Sequence, residues 1–216
     1  LFTDDAGTSL CLADFTRADR LDELDFELLL RPRAAGDSGA LSDRDLGDAI
    51  ARWITPDDSL GQPLGVWAAQ LAAGRFGVDL GGHLTGSIDA IFRVRSADGD
   101  RYVVSDYKTN RLGNFDAAPR PEQYLGNALT EAMAHHHYPL QALLYSVALH
   151  RYLRGRLPDY NPDQHLGGVA YLFVRGMVGP ATPLLGEHPA GVWSWRPPSG
   201  LICELSNLLD RQAVTI

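Results

Sequence analysis

The stretch Val103-Val104-Ser105-Asp106-Tyr107-Lys108-Thr109-Asn110 decides how this chain is read. A short apolar run ends in an acid, and a lysine follows two positions on. Strand residues two apart face the same side, so Asp106 and Lys108 project together from a strand end. Lys108 is the only lysine among 216 residues, and arginine supplies all the remaining Lys/Arg charge. Arginine stays charged and forks, whereas lysine is a compact cation whose pKa follows its surroundings. A sequence that otherwise uses arginine has set its one lysine beside an acid, which points to chemistry.

Immediately upstream, Leu84 to Arg95 has strand composition, Ser96 to Asp100 has turn composition, and Arg101 to Tyr107 is the partner strand. Asp98-Gly99 between two β-rich runs is a hairpin signal. The hairpin carries Asp89 on its first strand and Asp106 on its second. Adjacent antiparallel strands bring such residues within reach of one ion.

Outward from the hairpin, Leu24, Phe26 and Leu28 alternate with Glu23, Asp25 and Glu27, so Leu21 to Leu30 is expected to be a half-buried strand. Residues 31–41 are a loop by composition. Ser42, with Asp45 at the capping-box position, starts a helix running to about Ile54. Pro56 to Pro63 connects it to a short helix over Leu64 to Ala73, and Gly81-Gly82 makes a turn. Beyond the hairpin, Asn110 to Pro121 is a loop and Glu122 to His135 is helical. Tyr138 to Leu153 is a second helix with Leu140, Leu144, Val147 and Tyr152 as core positions. Pro139 suits its first turn. Gly155 to Gly168 is a polar connection, Gly168 to Val174 a buried strand, 179–200 a stretch rich in proline and glycine, and Leu201 to Leu209 a closing helix. The order predicts an α/β arrangement with a mixed sheet, in one domain spanning 1–216.

A hydrophobic content of 45% fills one such domain. The formal charge of −8 argues against a generic nucleic-acid coat, but not against an enzyme that holds a divalent ion and receives DNA from a larger assembly. Cys11 and Cys203 give no disulfide framework, so a reducing compartment is expected. No apolar run approaches the ~20 residues that span a bilayer, and no signal peptide is expected, since residues 1–18 lack a basic region followed by an apolar one.

Two acids from adjacent strands plus a lysine suit phosphodiester hydrolysis. Hard divalent ions such as Mg²⁺ take oxygen ligands and activate water against phosphate. A lysine there orients the water, helps deprotonate it, or stabilises developing charge. Gly86-Ser87-Ile88-Asp89, then Ser105-Asp106-Tyr107-Lys108, then Gln141 to Tyr145 resemble the G-x-I/V-D, D-Y-K and Q-x-x-x-Y motifs of the PD-(D/E)XK nuclease superfamily in its RecB-type branch. Tyr138 to Gln141, Leu149 to Leu153 and Gly167 to Phe173 extend the likeness, which covers roughly 20–210. Three motifs in order, with a hairpin between the first two, make a specific signal; D-x-K alone is weak.

The resemblance implies a restriction-endonuclease-like core, a mixed central sheet flanked by helices. It implies a Mg²⁺-dependent DNA exonuclease domain of a RecBCD-type helicase–nuclease, cytoplasmic, acting in double-strand-break repair and recombination, with Mn²⁺ as a substitute ion. DNA and RecC-like and RecD-like subunits are the implied partners. Asp89 and Asp106 become metal ligands, the Tyr107 carbonyl a further ligand, and Lys108 catalytic. Gln141 and Tyr145, one helical turn apart, contact DNA or orient the centre. Glu23, on the strand before the hairpin, is a candidate to approach the site; its plainer reading is the polar face of that strand.

One departure matters. RecB-type domains carry a ligand histidine, often in G-x-x-x-H, on an upstream helix, and here no histidine precedes His83. The chain is therefore expected to be a C-terminal piece of a longer helicase–nuclease subunit that begins after that helix. By itself it is expected to be a weak or inactive nuclease, or a nuclease-like interaction module. The run His135-His136-His137 does not read as a zinc site, since consecutive helix residues point roughly 100° apart; DNA contact or plain surface fits better. Trp193 and Trp195 alternate as on a strand or hairpin; packing or a partner subunit is their default reading, and base stacking the alternative. The acids Asp4, Asp5, Asp14, Asp19 and Asp22 read as a solvated face.

Overall fold

The computed structural model describes residues 2–3, 9–29, 41–54, 61–77, 79–80, 83–96, 99–114 and 116–210. Five strands form the central sheet: β1 (Arg20–Leu29), β2 (His83–Val94), β3 (Arg101–Lys108), β4 (Leu166–Phe173) and β5 (Val192–Trp195). Their order across the sheet is β5-β4-β3-β2-β1. The β3–β4 pair is parallel and the other three are antiparallel. A parallel pair needs a long crossover, and here α3 (Asn127–His135) and α4 (Tyr138–Arg154) provide it. The remaining helices are α1 (Asp43–Ala51), α2 (Gly61–Ala72), the single turn α5 (Pro162–His165) and α6 (Ser199–Asp210). The mixed sheet with its helices is the expected α/β, restriction-endonuclease-like core.

The larger hydrophobic cluster joins α1, α2, α3, α4 and α6 to one face of the sheet. On the other face Val94, Val103, Ala170, Leu172 and Val192 are covered by Leu10, Leu12, Phe15 and Met177. Helix α1 starts at the expected box: Asp45 N donates to Ser42 Oγ (3.3 Å), and Ser42 N donates to Asp45 Oδ2 (2.9 Å). Its Gly47 lies against the end of α2, where a Cβ would fall 2.1 Å from the Ala72 nitrogen. No larger residue fits that crossing.

Several expectations change. The helix expected over Glu122 to His135 is broken: a 3₁₀ turn at Pro121–Tyr124 is followed by Gly126 at φ 57°, and α3 starts only at Asn127. In α4, Val147 is fully buried, but Leu140, Leu144 and Tyr152 are only partly so. Ala142, Leu143 and Leu149 join Val147 in the deepest places, because α4 is covered on two sides, by the sheet and by α6. The 155–168 connection contains α5, and β4 begins at Leu166. The proline- and glycine-rich stretch contains β5, whose Trp193 and Trp195 are buried, so they pack and are closed to base stacking. Asp19 is not part of a solvated face: it accepts from Arg93 Nη2 (2.8 Å) and Arg95 Nε (2.9 Å). Asp4, Asp5, Asp98, Gly81-Gly82, and the 31–40 and 56–60 portions of the expected loops lie outside the described residues. No helix among the described residues is long and apolar enough to cross a membrane.

Candidate active site

The site begins where the sheet departs from regular pairing. Strands β2 and β3 pair from Val94↔Arg101 to Ala90↔Ser105. One step further Asp89 turns its carboxylate into the ladder, and Oδ2 accepts from the Tyr107 amide at 2.9 Å. On the outer side, β1 pairs with β2 at Asp22↔Ala90 and again at Leu24↔Ile88. Glu23 therefore stands across from Asp89, and its φ of 52° is a left-handed conformation that costs a non-glycine residue roughly 1–2 kcal/mol. The alternation of both strands changes phase there. Ile88 and Leu28 face the helices, yet so do Ile91, three residues past Ile88, and Leu21, which joins Ile91 and Leu149 around one cavity. The irregularity turns the Asp89 carboxylate toward β3. The Glu23 side chain is exposed.

Asp106 and Lys108 obey the period of two. Lys108 Nζ lies 2.6 Å from Asp106 Oδ2, with side chains only 11% and 5% exposed. Nζ also donates to Gln141 Oε1 at 3.0 Å and sits 3.9 Å from the centre of the Tyr138 ring and 5.1 Å from that of Tyr171. Gln141 is the hub: its Oε1 accepts from Lys108 and from the Tyr171 hydroxyl (3.2 Å), and its Nε2 donates to the Tyr145 hydroxyl (2.9 Å). Tyr138 donates to Asn110 Oδ1 (3.2 Å), fixing the ring that the ammonium faces. A buried cation thus meets a carboxylate, an amide oxygen and aromatic faces, all of which favour its charge.

Gly86 also has a geometric reason. A Cβ there would fall 2.6 Å from Phe26 Cζ, and the Phe26 ring meets Tyr145 edge-on at 5.6 Å. The glycine lets Phe26 lie across β2 and brace the tyrosine of the Gln–Tyr pair.

Burial is the largest influence on Asp106 and pushes its pKa up; the Lys108 bond and charge pull it down, and Asp89 pushes it up again. Burial, and then the charges of Asp106 and Asp89, raise the Tyr145 phenol. Tyr171 is raised well above its usual value by burial, with Asp106 next. Each of these groups feels the others, so Asp89, Asp106, Lys108, Gln141 and Tyr145 form one cluster. Its open donors are two carboxylates flanking the Tyr107 backbone, hard oxygen ligands of the sort a small divalent cation takes. No group of three His, Cys, Asp or Glu side chains able to hold an ion occurs among the described residues.

The sequence reading missed Tyr138 and Tyr171. Tyr138 sits three residues before Gln141, one helical turn away, and that spacing was the available signal. Tyr171 pairs with Asp106 across the parallel ladder, which only the fold reveals. In the histidine run, α3 ends at His135 and His137 takes φ 56°. His137 Nδ1 accepts from Trp67 Nε1 (3.3 Å), while His136 stacks on Tyr138 with centroids 5.3 Å apart.

No family model matches the chain. It is 49% identical over 208 residues to the RecBCD enzyme subunit RecB of Mycolicibacterium smegmatis, covering 94% of this chain and 18% of that protein. The RecB of Mycobacterium tuberculosis is 49% identical over 211 residues, 95% of the chain and again 18% of the relative. The chain is homologous to a segment of RecB. Escherichia coli RecB is 42% identical over 128 residues, 59% of the chain and 10% of that protein. The chain thus spans about a fifth of the length of the mycobacterial RecB proteins it matches.

Proposed function

We propose that the chain is a Mg²⁺-dependent deoxyribonuclease domain of PD-(D/E)XK type, an exonuclease belonging to a RecBCD-type helicase–nuclease. The observation that carries this is the convergence of Asp89, Asp106 and Lys108 at one point of the sheet, with Gln141 holding the lysine. Homology to RecB supports a role in double-strand-break repair, and we extend the proposal to RecC-like and RecD-like partners and a cytoplasmic setting.

Asp89, Asp106 and the Tyr107 carbonyl would hold the ion. When bound, Mg²⁺ makes water more acidic and offsets charge on the phosphate. Lys108, tethered by Asp106 and Gln141, presents a fixed ammonium to the negative phosphoryl oxygens. Tyr138 and Tyr171 wall the ammonium off from bulk water, so its charge acts in a medium of low dielectric. Tyr145 and Phe26 keep the hub amide in place. Glu23 faces solvent across from Asp89, placed to approach an ion held there.

The test is release of acid-soluble nucleotides from single-stranded DNA by this chain with Mg²⁺, against Lys108→Ala. Losing one fixed charge stabiliser costs about 10²–10³ in rate, so activity should fall to that extent and vanish with EDTA. Degradation that survives the substitution removes Lys108 from catalysis. A second reading is favoured by the lack of a three-ligand cluster among the described residues: a nuclease-like module that binds partner subunits and is inactive by itself. Mn²⁺ binding and hydrolysis both absent from a folded chain would select it.

A further inference from the structure

Strands β3 and β4 are the parallel pair, and Lys108 stands beside Phe173 in their register. Arg175 follows Phe173 by two residues, in a 3₁₀ turn over Val174–Gly176. Its side chain is exposed, yet it is tethered: Nε donates to the carbonyl of Thr109, the residue after Lys108, at 2.9 Å. The same backbone is held from two more sides. The Tyr124 hydroxyl donates to the Asn110 carbonyl (3.1 Å), and the Tyr138 hydroxyl donates to Asn110 Oδ1 (3.2 Å). Tyr138 is the ring that the Lys108 ammonium faces. Guanidinium and ammonium are thus fixed to one pinned stretch of chain, at the parallel strand ends where α/β sheets present groups to a ligand.

The bond through Nε leaves the two Nη groups, four N–H donors of a planar fork. Among the described residues no carboxylate pairs with them. By contrast, Arg93 and Arg95 share Asp19, and Arg20 has Asp22. The cluster's own carboxylates are engaged elsewhere, Asp106 by the ammonium and Asp89 by the Tyr107 amide. An arginine held on a neutral carbonyl close to a second cation gains little from its charge, since like charges repel. The arrangement becomes favourable when an anion arrives, and a planar guanidinium matches phosphate with two parallel bonds. His136, stacked on Tyr138, is no substitute: burial, and then His135, His137 and Lys108, hold its pKa below the usual imidazole value, so it is neutral at pH 7.

We infer that Arg175 grips the phosphate next to the scissile one on the DNA strand, and so sets the register of that strand against Lys108. The inference rests on the nuclease reading and adds to it the residue that positions the substrate. Phosphate contacts of this kind fix register without reading sequence. The competing role is a latch that only ties the 3₁₀ turn to the end of β3.

The test is fluorescence anisotropy of a labelled single-stranded octanucleotide, in fixed Ca²⁺ and a series of KCl concentrations. The variants are Arg175→Gln and Arg175→Lys. The control is Arg154→Gln, exposed and roughly 20 Å along α4 from Gln141. Circular dichroism melts check each fold. One phosphate contact on a single strand contributes about 0.7 to the slope of log K against log salt. Arg175→Gln should therefore flatten the slope by that amount and weaken binding about fivefold near 0.1 M KCl, alike for different base sequences. Arg175→Lys keeps the charge and should keep the slope, and Arg154→Gln should match the wild type. Wild-type slope and affinity in Arg175→Gln, an equal loss in Arg154→Gln, or a slope lost as fully in Arg175→Lys as in Arg175→Gln overturns the contact. A wild-type chain that binds no octanucleotide overturns it too. The nuclease reading is scored apart, by Mg²⁺-dependent hydrolysis: if cutting survives Lys108→Ala that reading fails, while the salt slopes still judge Arg175.

Discussion

Replacing Gln141 with leucine removes the hub while keeping its bulk. Three bonds are lost: those from Lys108 (3.0 Å) and Tyr171 (3.2 Å), and that to Tyr145 (2.9 Å). Their costs differ. Lys108 keeps Asp106 and the Tyr138 face. The Tyr171 hydroxyl, in a residue with no exposed surface, is stranded beside leucine, and an orphaned buried hydroxyl costs about 1–3 kcal/mol. With the smaller losses at Lys108 and Tyr145, and allowing for their coupling, Gln141→Leu should destabilise the fold by about 2–4 kcal/mol. Urea unfolding measures this directly. The second arm is a cycle with Tyr171→Phe. In the wild type that change removes a satisfied hydroxyl and should destabilise; in Gln141→Leu it removes the stranded one and should restore about 1 kcal/mol. Catalysis should fall on the order of tenfold to a hundredfold, because the ammonium loses one of its tethers. A Gln141→Leu protein within about 0.5 kcal/mol of wild type, or one that Tyr171→Phe weakens as much as it weakens the wild type, would refute the hub.

Tyr138→Phe keeps the ring under the ammonium and should retain most activity, whereas Tyr138→Leu should lower kcat about tenfold with little change in KM, since a cation–π contact is worth about 1–2 kcal/mol; equal losses in both variants would assign the effect to the hydroxyl and Asn110 instead. Metal binding should weaken on acidification sooner than for an ordinary carboxylate pair, because burial raises the Asp106 pKa and the ion needs the carboxylate ionised. The sign for the metal-free fold is opposite: an acid with a raised folded pKa contributes stability at low pH that is lost as pH rises from the unfolded value through the folded one. The increase in Tm on adding Mg²⁺ should therefore be largest near neutrality and shrink towards pH 5, and an increase independent of pH would contradict the assignment.

The sequence made some features legible because they are local. The capping box at Ser42 and Asp45, the hairpin around Gly99, and the two-residue step from Asp106 to Lys108 depend only on short-range geometry, and each has its expected form. Features set by tertiary pairing were not legible. A period-two reading assumes one phase along a strand, so it put Leu21 and Leu24 on opposite faces. The left-handed Glu23 brings both to the helix side. The alternation of Trp193 and Trp195 hints at strand β5, but its place in the sheet is set by pairing with β4, which only the fold reveals. Tyr171 looks like any residue of a buried strand until the parallel register lays it beside Asp106.

Having one lysine gives the chain a property separate from catalysis. An amine-directed acylating reagent has a single side chain to find, and that side chain is 11% exposed behind Asp106. Its rate of labelling becomes a meter of how far the cleft opens. Anything that enters the cleft, an ion, a mononucleotide or a neighbouring subunit's loop, will slow the reagent. A ¹³C-methyl group introduced there by reductive methylation would give one resonance whose shift and width report the occupant without further mutation.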